Sequence, residues 1–518
     1  MRVLLLFLLL CLPRLAAAET ASQRLVGLVQ AGDRAAVANA LAEAVIADAA
    51  SADEPRAQRE LFRVFGLSAP EFAAFTADWL TAEPDNPLAL TAAGWQAHAL
   101  AFDLRGGRVS AHTTAEALQE FRRLERKAQA LFAKAAETNP DLIAASDGLM
   151  VTGAALGRYD DIAAEIQRVM ELRPNRGSLM RSIWGPQWGG GMEVVDFLCD
   201  RYADKIATVP DYDAQTCRID AVYYANFPPG PDLDRAREAL WESDNPILDH
   251  ARLRDAIAEM GPAEARLAFL EDQMNKGPLS AEAARAYDVA FMQGTGQESS
   301  ELPEFRAALP QSVADAEGWA DLDPLNTDRL SRLYELRMQD RSLNDAPFDT
   351  AAFIGRLATL LSGNRYSAEG WRLLGDLRRG DGGVAGFKAA QPAYENALYY
   401  SRSDLAFLQA IIEGRIWQVF DQGTRTLLTD PMSLSPEAQA EFDQVVLCPL
   451  LRDLVAAQML CVQEGVSGPC LNGLPEDAQI VMPLMEASQR HTCPALANGL
   501  DLATLLVSKP VAVDLAGP

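Results

Sequence analysis

The sequence predicts an all-α protein built from stacked helix pairs, and three observations carry that prediction. Apolar residues recur at three-and-four spacing in window after window of the 518 residues, which is the period of an amphipathic helix. No stretch alternates with period two for long enough to make a strand, and aromatic residues are only 7% of the chain with few β-branched runs, too few for a large sheet. Proline-led breaks punctuate the helices, and two of them, at Pro140 and Pro174, lie 34 residues apart, a spacing that suits one helix pair per repeat.

The chain opens with Arg2, an apolar run from Val3 to Leu12, and Ala16-Ala17-Ala18 after a Pro13-Arg14 break. This is the order of a secretory signal peptide, so residues 1–18 read as a leader cleaved after Ala18. A lipid anchor at Cys11 fits less well, because Leu10 stands where a small side chain is required. Beyond the leader no run approaches the roughly 18 apolar residues of a spanning helix. The expected location is periplasmic or secreted, without a membrane span.

The helices then follow in order. Leu25, Leu28 and Val29, and next Val37, Leu41 and Val45, form successive apolar stripes, continued by Leu61, Phe62 and Phe65. Ser68-Ala69-Pro70-Glu71 reads as an N-cap and acidic first turn for a helix over Phe72 to Leu80. Breaks follow at Glu83-Pro84-Asp85-Asn86-Pro87, Thr138-Asn139-Pro140-Asp141 and Arg173-Pro174-Asn175, each ending one helix and capping another.

Between the last two breaks stand Leu149, Gly153, Gly157-Arg158-Tyr159, Ile162, Ile166 and Val169. Together they resemble one tetratricopeptide repeat: helix A, a Gly-led turn, helix B and a terminal Pro. Downstream, Trp371, Leu374 and Gly375 are similar to the W-x-x-L-G opening of that repeat, and Ala390, Tyr394 and Ala397 to its helix B, with a longer turn through Arg379-Gly380-Asp381-Gly382-Gly383. The resemblance covers about 70 residues and implies a tetratricopeptide-like α-solenoid, with little bearing on activity. It divides the mature chain into an N-terminal repeat block (19–260), an irregular helical connecting region (261–345) with loop-like stretches at 294–300 and 321–326, a second repeat block (346–430), and a cysteine-containing C-terminal cap (431–518).

Six cysteines remain after the leader: Cys199, Cys217, Cys448, Cys461, Cys470 and Cys493. An even number in an exported chain points to disulfides. Cys199 with Cys217 is the simplest pair, and the final four allow three connectivities. No CxxC or short Cys/His pairing suggests zinc, and no cofactor is implied. The net charge of −26 becomes about −28 once Arg2 and Arg14 leave with the leader. Only six residues are lysine, and a chain this acidic is unsuited to nucleic acid or an anionic membrane surface.

The most unusual local sequence is Trp184-Gly185-Pro186-Gln187-Trp188-Gly189-Gly190-Gly191. It resembles a W-G-G-S-like stretch of a group of bacterial exported helical-repeat proteins, with Gly191 in place of the serine. Trp184 and Trp188 suit either a helix–helix connection in the core or, with Gly189, Gly190 and Gly191, the lining of a groove for a peptide or sugar. The run is no P-loop, since no strand precedes it and no GK[ST] follows. His98, His112, His250 and His491 are scattered, although His98 and His112 flank Asp103 closely enough to raise proton transfer as an idea. Tyr223-Tyr224 and Tyr399-Tyr400 read as core or groove lining. No G-x-S-x-G motif supports a serine hydrolase. The expected function is therefore a scaffold that binds a protein or peptide in the cell envelope. Two alternatives stand beside it: an enzyme using groove carboxylates on a cell-wall or other polysaccharide, and a structural subunit of an envelope complex.

Overall fold

The computed structural model describes residues 20–50, 56–106, 113–184, 187–206, 211–225, 230–277, 279–295, 303–380, 383–401, 448–464 and 510–515, with scattered positions between. Among them the chain is helical and contains no strand. Its helices are α1 (Ala21–Gln30), α2 (Arg34–Ala50), α3 (Arg56–Arg63), α4 (Pro70–Ala82), α5 (Pro87–Arg105), α6 (Ala115–Thr138), α7 (Ile143–Leu156), α8 (Tyr159–Leu172), α9 (Arg176–Trp184), α10 (Gln187–Tyr202) and α11 (Ala214–Tyr224). They continue as α12 (Pro231–Glu242), α13 (Asp249–Ile257), α14 (Ala263–Lys276), α15 (Ala281–Thr295), α16 (Pro303–Leu322), α17 (Thr327–Asn344), α18 (Thr350–Gly363), α19 (Ala368–Arg379), α20 (Gly383–Ser401) and α21 (Cys448–Glu464). None is long and apolar enough to cross a membrane.

Local chemistry sets the ends. Thr20 caps α1 in a reciprocal box with Gln23, and Asp213, Asn326, Asp349 and Ser367 each accept a backbone N–H two or three residues into the next helix. Gly157 ends α7 at φ +71°, the left-handed conformation that lets α8 fold straight back. At α4 the expected cap is displaced by one residue: Ala69 is the N-cap and makes no side-chain bond. Pro70 at the first helical position, which has no N–H to satisfy, fixes that start instead.

The chain forms two compact units, one of residues 1–100 and 123–312, the other of 101–122 and 313–518. In the first, consecutive helices pair as hairpins, α2 with α3, α7 with α8 and α14 with α15. Alternate helices also stack, α7 on α9, α9 on α11, α11 on α13 and α13 on α15. One apolar cluster runs from Met150 and Ile162 through Leu179, Ile183 and Leu198 to Cys217 and Ala221. Cys199 of α10 and Cys217 of α11 are bonded inside it, Sγ to Sγ 2.03 Å. Ile162, Ile166 and Val169 are all buried.

In the second unit α19 and α20 form the tightest hairpin, and α17 stacks on α19. Gly375 explains the closeness: a Cβ there would meet the Tyr394 ring at 2.7 Å. The Tyr394 hydroxyl donates to Asp376 Oδ1 at 2.6 Å, so the ring has no room to retreat. Of the 321–326 stretch, Asp321 and Leu322 end α16 and only residues 323–326 form the turn into α17. Cys448 is disulfide-bonded, whereas the side chains of Cys461, Cys470 and Cys493 lie outside the described residues.

Candidate functional site

The tryptophan and glycine motif does not form one loop. Trp184 is the last residue of α9, and Trp188, Gly189 and Gly190 lie in the first turns of α10. Gly191, at φ +54° and ψ −138°, breaks α10 into two helical stretches. That conformation suits glycine alone, so the triplet's last glycine is a kink. The side chains of Trp184 and Trp188 lie outside the described residues.

The first unit instead gathers buried carboxylates. Asp147 on α7 is fully buried, receives Arg59 Nε at 2.6 Å, faces Arg181 Nε at 3.3 Å and accepts the Ser178 hydroxyl at 2.9 Å. Burial pushes its pKa up, but the two guanidiniums and the hydrogen bonds from Arg59 and Ser178 outweigh it and hold the carboxyl below its ordinary range. Asp220 on α11 accepts both arms of Arg176, at 2.6 and 2.7 Å, and the Tyr212 hydroxyl at 2.8 Å, with His250 Nε2 at 3.3 Å. Each is a satisfied internal ion pair joining helices, and the hydroxyl beside it is spent as a donor to the carboxylate. His98 pairs with Glu125 at 2.9 Å and sits edge-on to Trp95, and His112 and His491 lie outside the described residues. The tyrosine pair at 223–224 divides, Tyr223 buried and Tyr224 exposed.

A different arrangement stands in the second unit. The end of α5, the starts of α6, α17 and α19 and the end of α20 converge on an open cleft of about 180 Å³. Its walls carry the Thr113, Thr327 and Ser367 hydroxyls and the Tyr366 and Tyr400 rings, with Arg105 and the acidic Asp328 and Glu369 among the lining residues. Tyr366 and Tyr400 meet edge to face at 5.9 Å, Tyr399 meets Tyr400 at 4.9 Å, and the Arg365 guanidinium covers Tyr366 at 5.1 Å. Arg105 lies over both Phe102 and Phe121. Thr327 Oγ1 and Ser367 Oγ share a hydrogen bond of 2.7 Å, tying α17 to α19 across the floor, and Asn364 Nδ2 donates to the Asp103 carbonyl at 2.6 Å.

Asp103, two residues before Arg105, has one carboxylate oxygen shielded from water and without a hydrogen bond. Desolvation above all, then the charges of Asp323 and Asp328 against the pull of Arg329, raises its pKa to about 8. It holds a proton at neutral pH. Sequence reasoning saw Asp103 only as a neighbour of His98 and His112, and His98 is engaged with Glu125 instead. The residues of the cleft come from five helix ends between 105 and 400, a separation that no local motif could signal.

Among the described residues no group of three or more His, Cys, Asp or Glu could hold a metal ion. The sequence matches no protein-family model and no curated protein.

Proposed function

We propose that this chain is an exported helical-repeat scaffold, tetratricopeptide-like with a C-terminal cap, that binds a peptide segment of a partner in the cell envelope. The observation that carries the reading is the second unit's cleft: open, lined by tyrosine rings and hydroxyls, and flanked by charges of both signs. Such a surface offers broad contact and hydrogen bonds to a peptide backbone at low entropic cost. The alternate-helix stacking of the first unit supports the repeat architecture. A leader-like start and a disulfide between Cys199 and Cys217 support export.

The test is a displayed random-peptide library selected on the chain lacking residues 1–18. Enriched peptides should bind the wild type, and Thr327→Arg and Tyr366→Ala should each weaken them by about tenfold or more, with the circular-dichroism spectrum unchanged. Peptides that bind both variants as well as wild type would remove the cleft from the reading.

A further inference from the structure

The segment Pro510 to Leu515 lies against the α19–α20 hairpin of the second unit. Val511, Val513 and Leu515 are half-buried while Pro510, Ala512 and Asp514 are exposed, the alternation of an extended chain laid on a surface. Asn396 on α20, itself only 1% exposed, accepts the Val511 N–H at 2.6 Å and donates to the Val511 carbonyl at 2.9 Å. A side-chain amide offers one acceptor and one donor side by side, and here both are spent on a single residue's backbone. Three residues on, the Asp514 carbonyl accepts from the Arg378 guanidinium at the end of α19. The α19–α20 hairpin therefore grips backbone groups at two points and selects side chains only by their alternation.

We propose that Asn396 and Arg378 form a binding site for an extended peptide with apolar residues at alternate positions, and that residues 510–515 occupy it in cis as a built-in competitor. This rests on the reading of the chain as a peptide binder and gives it a second site, on groups of the α19–α20 hairpin that are not among those lining the cleft. Backbone recognition of this kind resembles the addition of a strand to a sheet edge, with a buried asparagine replacing the edge. Because the occupant is tethered, its effective concentration is high, and a peptide in trans competes only when it binds better or when the segment is released.

The experiment uses the full chain and a fluorescent peptide with the sequence of residues 508–517. Val511→Pro in the chain deletes the N–H that Asn396 accepts, while the residue before it keeps its extended preference. The variant should bind the peptide about tenfold more tightly than wild type, and adding Asn396→Ala or Asn396→Asp should return binding to the wild-type level or below. Asn396→Asp keeps the size and the acceptor of the buried side chain and removes only its donor, and a circular-dichroism melt of each variant checks that it is folded. Equal binding by wild type and Val511→Pro, or tight binding that survives both Asn396 changes, would overturn the proposal. Amide exchange at Val511 in the chain alone separates this from the scaffold reading. Protection in wild type that is lost in Asn396→Ala, which removes the acceptor of the Val511 N–H, upholds the clamp even where no peptide is selected at the cleft, and an unprotected Val511 refutes it.

Discussion

At the residue scale, two aspartates show burial resolved in opposite directions. Asp147 is fully buried but meets two guanidiniums, so its charge is the stable form. Asp103 is half-buried with two other aspartates in electrostatic reach, so its proton is. The consequences for stability have opposite signs. Asp147, held below its ordinary pKa, contributes stability that is present above about pH 4 and lost as pH falls further. Asp103, raised to about 8, binds a proton in the folded state that the unfolded state has already released, so stability falls as pH rises from about 4 to about 8. Asp103→Asn, which imitates the protonated acid, should leave the melting temperature almost unchanged near pH 4 and raise it at pH 8, by the equivalent of about 1–3 kcal/mol. Melting curves of both proteins across this range check it, and parallel profiles would show that Asp103 is ionised in the folded chain.

At the element scale, the α19–α20 hairpin is set by what glycine lacks. Gly375 lies against a Tyr394 ring that is buried and held by Asp376, so neither partner can give way. Gly375→Ala should cost about 1–3 kcal/mol, because overpacking exceeds the gain in helix propensity of about 1 kcal/mol. Gly355, an exposed residue of α18, has open space where a Cβ would stand. Gly355→Ala should stabilise by up to about 1 kcal/mol. Chemical denaturation of the two variants compares them directly, and similar effects of one sign would mean that the hairpin is looser than its packing implies. The same rigidity matters for the clamp, since Asn396 and Tyr394 share α20 and a shifted helix would misplace the amide.

At the scale of the whole molecule, the Cys199–Cys217 bond belongs to the first unit and lies within one of its apolar clusters. Replacing both cysteines with alanine should destabilise that unit by about 2–4 kcal/mol. Amide exchange should accelerate through α9 to α13 and stay unchanged in α17 to α20. Uniform acceleration across both units would show that they unfold as one. The net charge of −26 adds a general effect, favouring solubility and disfavouring polyanionic partners, without choosing a ligand.

How much of this was legible in the sequence follows from the range of the interactions involved. Three-and-four periodicity determined the helices because it is a property of neighbours along one chain, and Pro70, Pro87 and Gly157 marked their ends for the same local reason. Trp371, Leu374, Gly375 and Tyr394 pointed to a helix pair because a repeat encodes its own packing partner a few turns away. The nearness of Cys199 to Cys217 made their pairing the simplest choice. The motif of Trp184 to Gly191 stood out by composition, but composition did not say that Gly191 would be a helix kink. Only the tertiary structure joined five helix ends into the cleft, raised Asp103 through burial first and then through Asp323 and Asp328 more than two hundred residues away, and laid Val511 on Asn396. Those groups meet through packing between distant segments, and a carboxylate, a tyrosine or an asparagine carries no mark in the sequence of the partner that folding will give it.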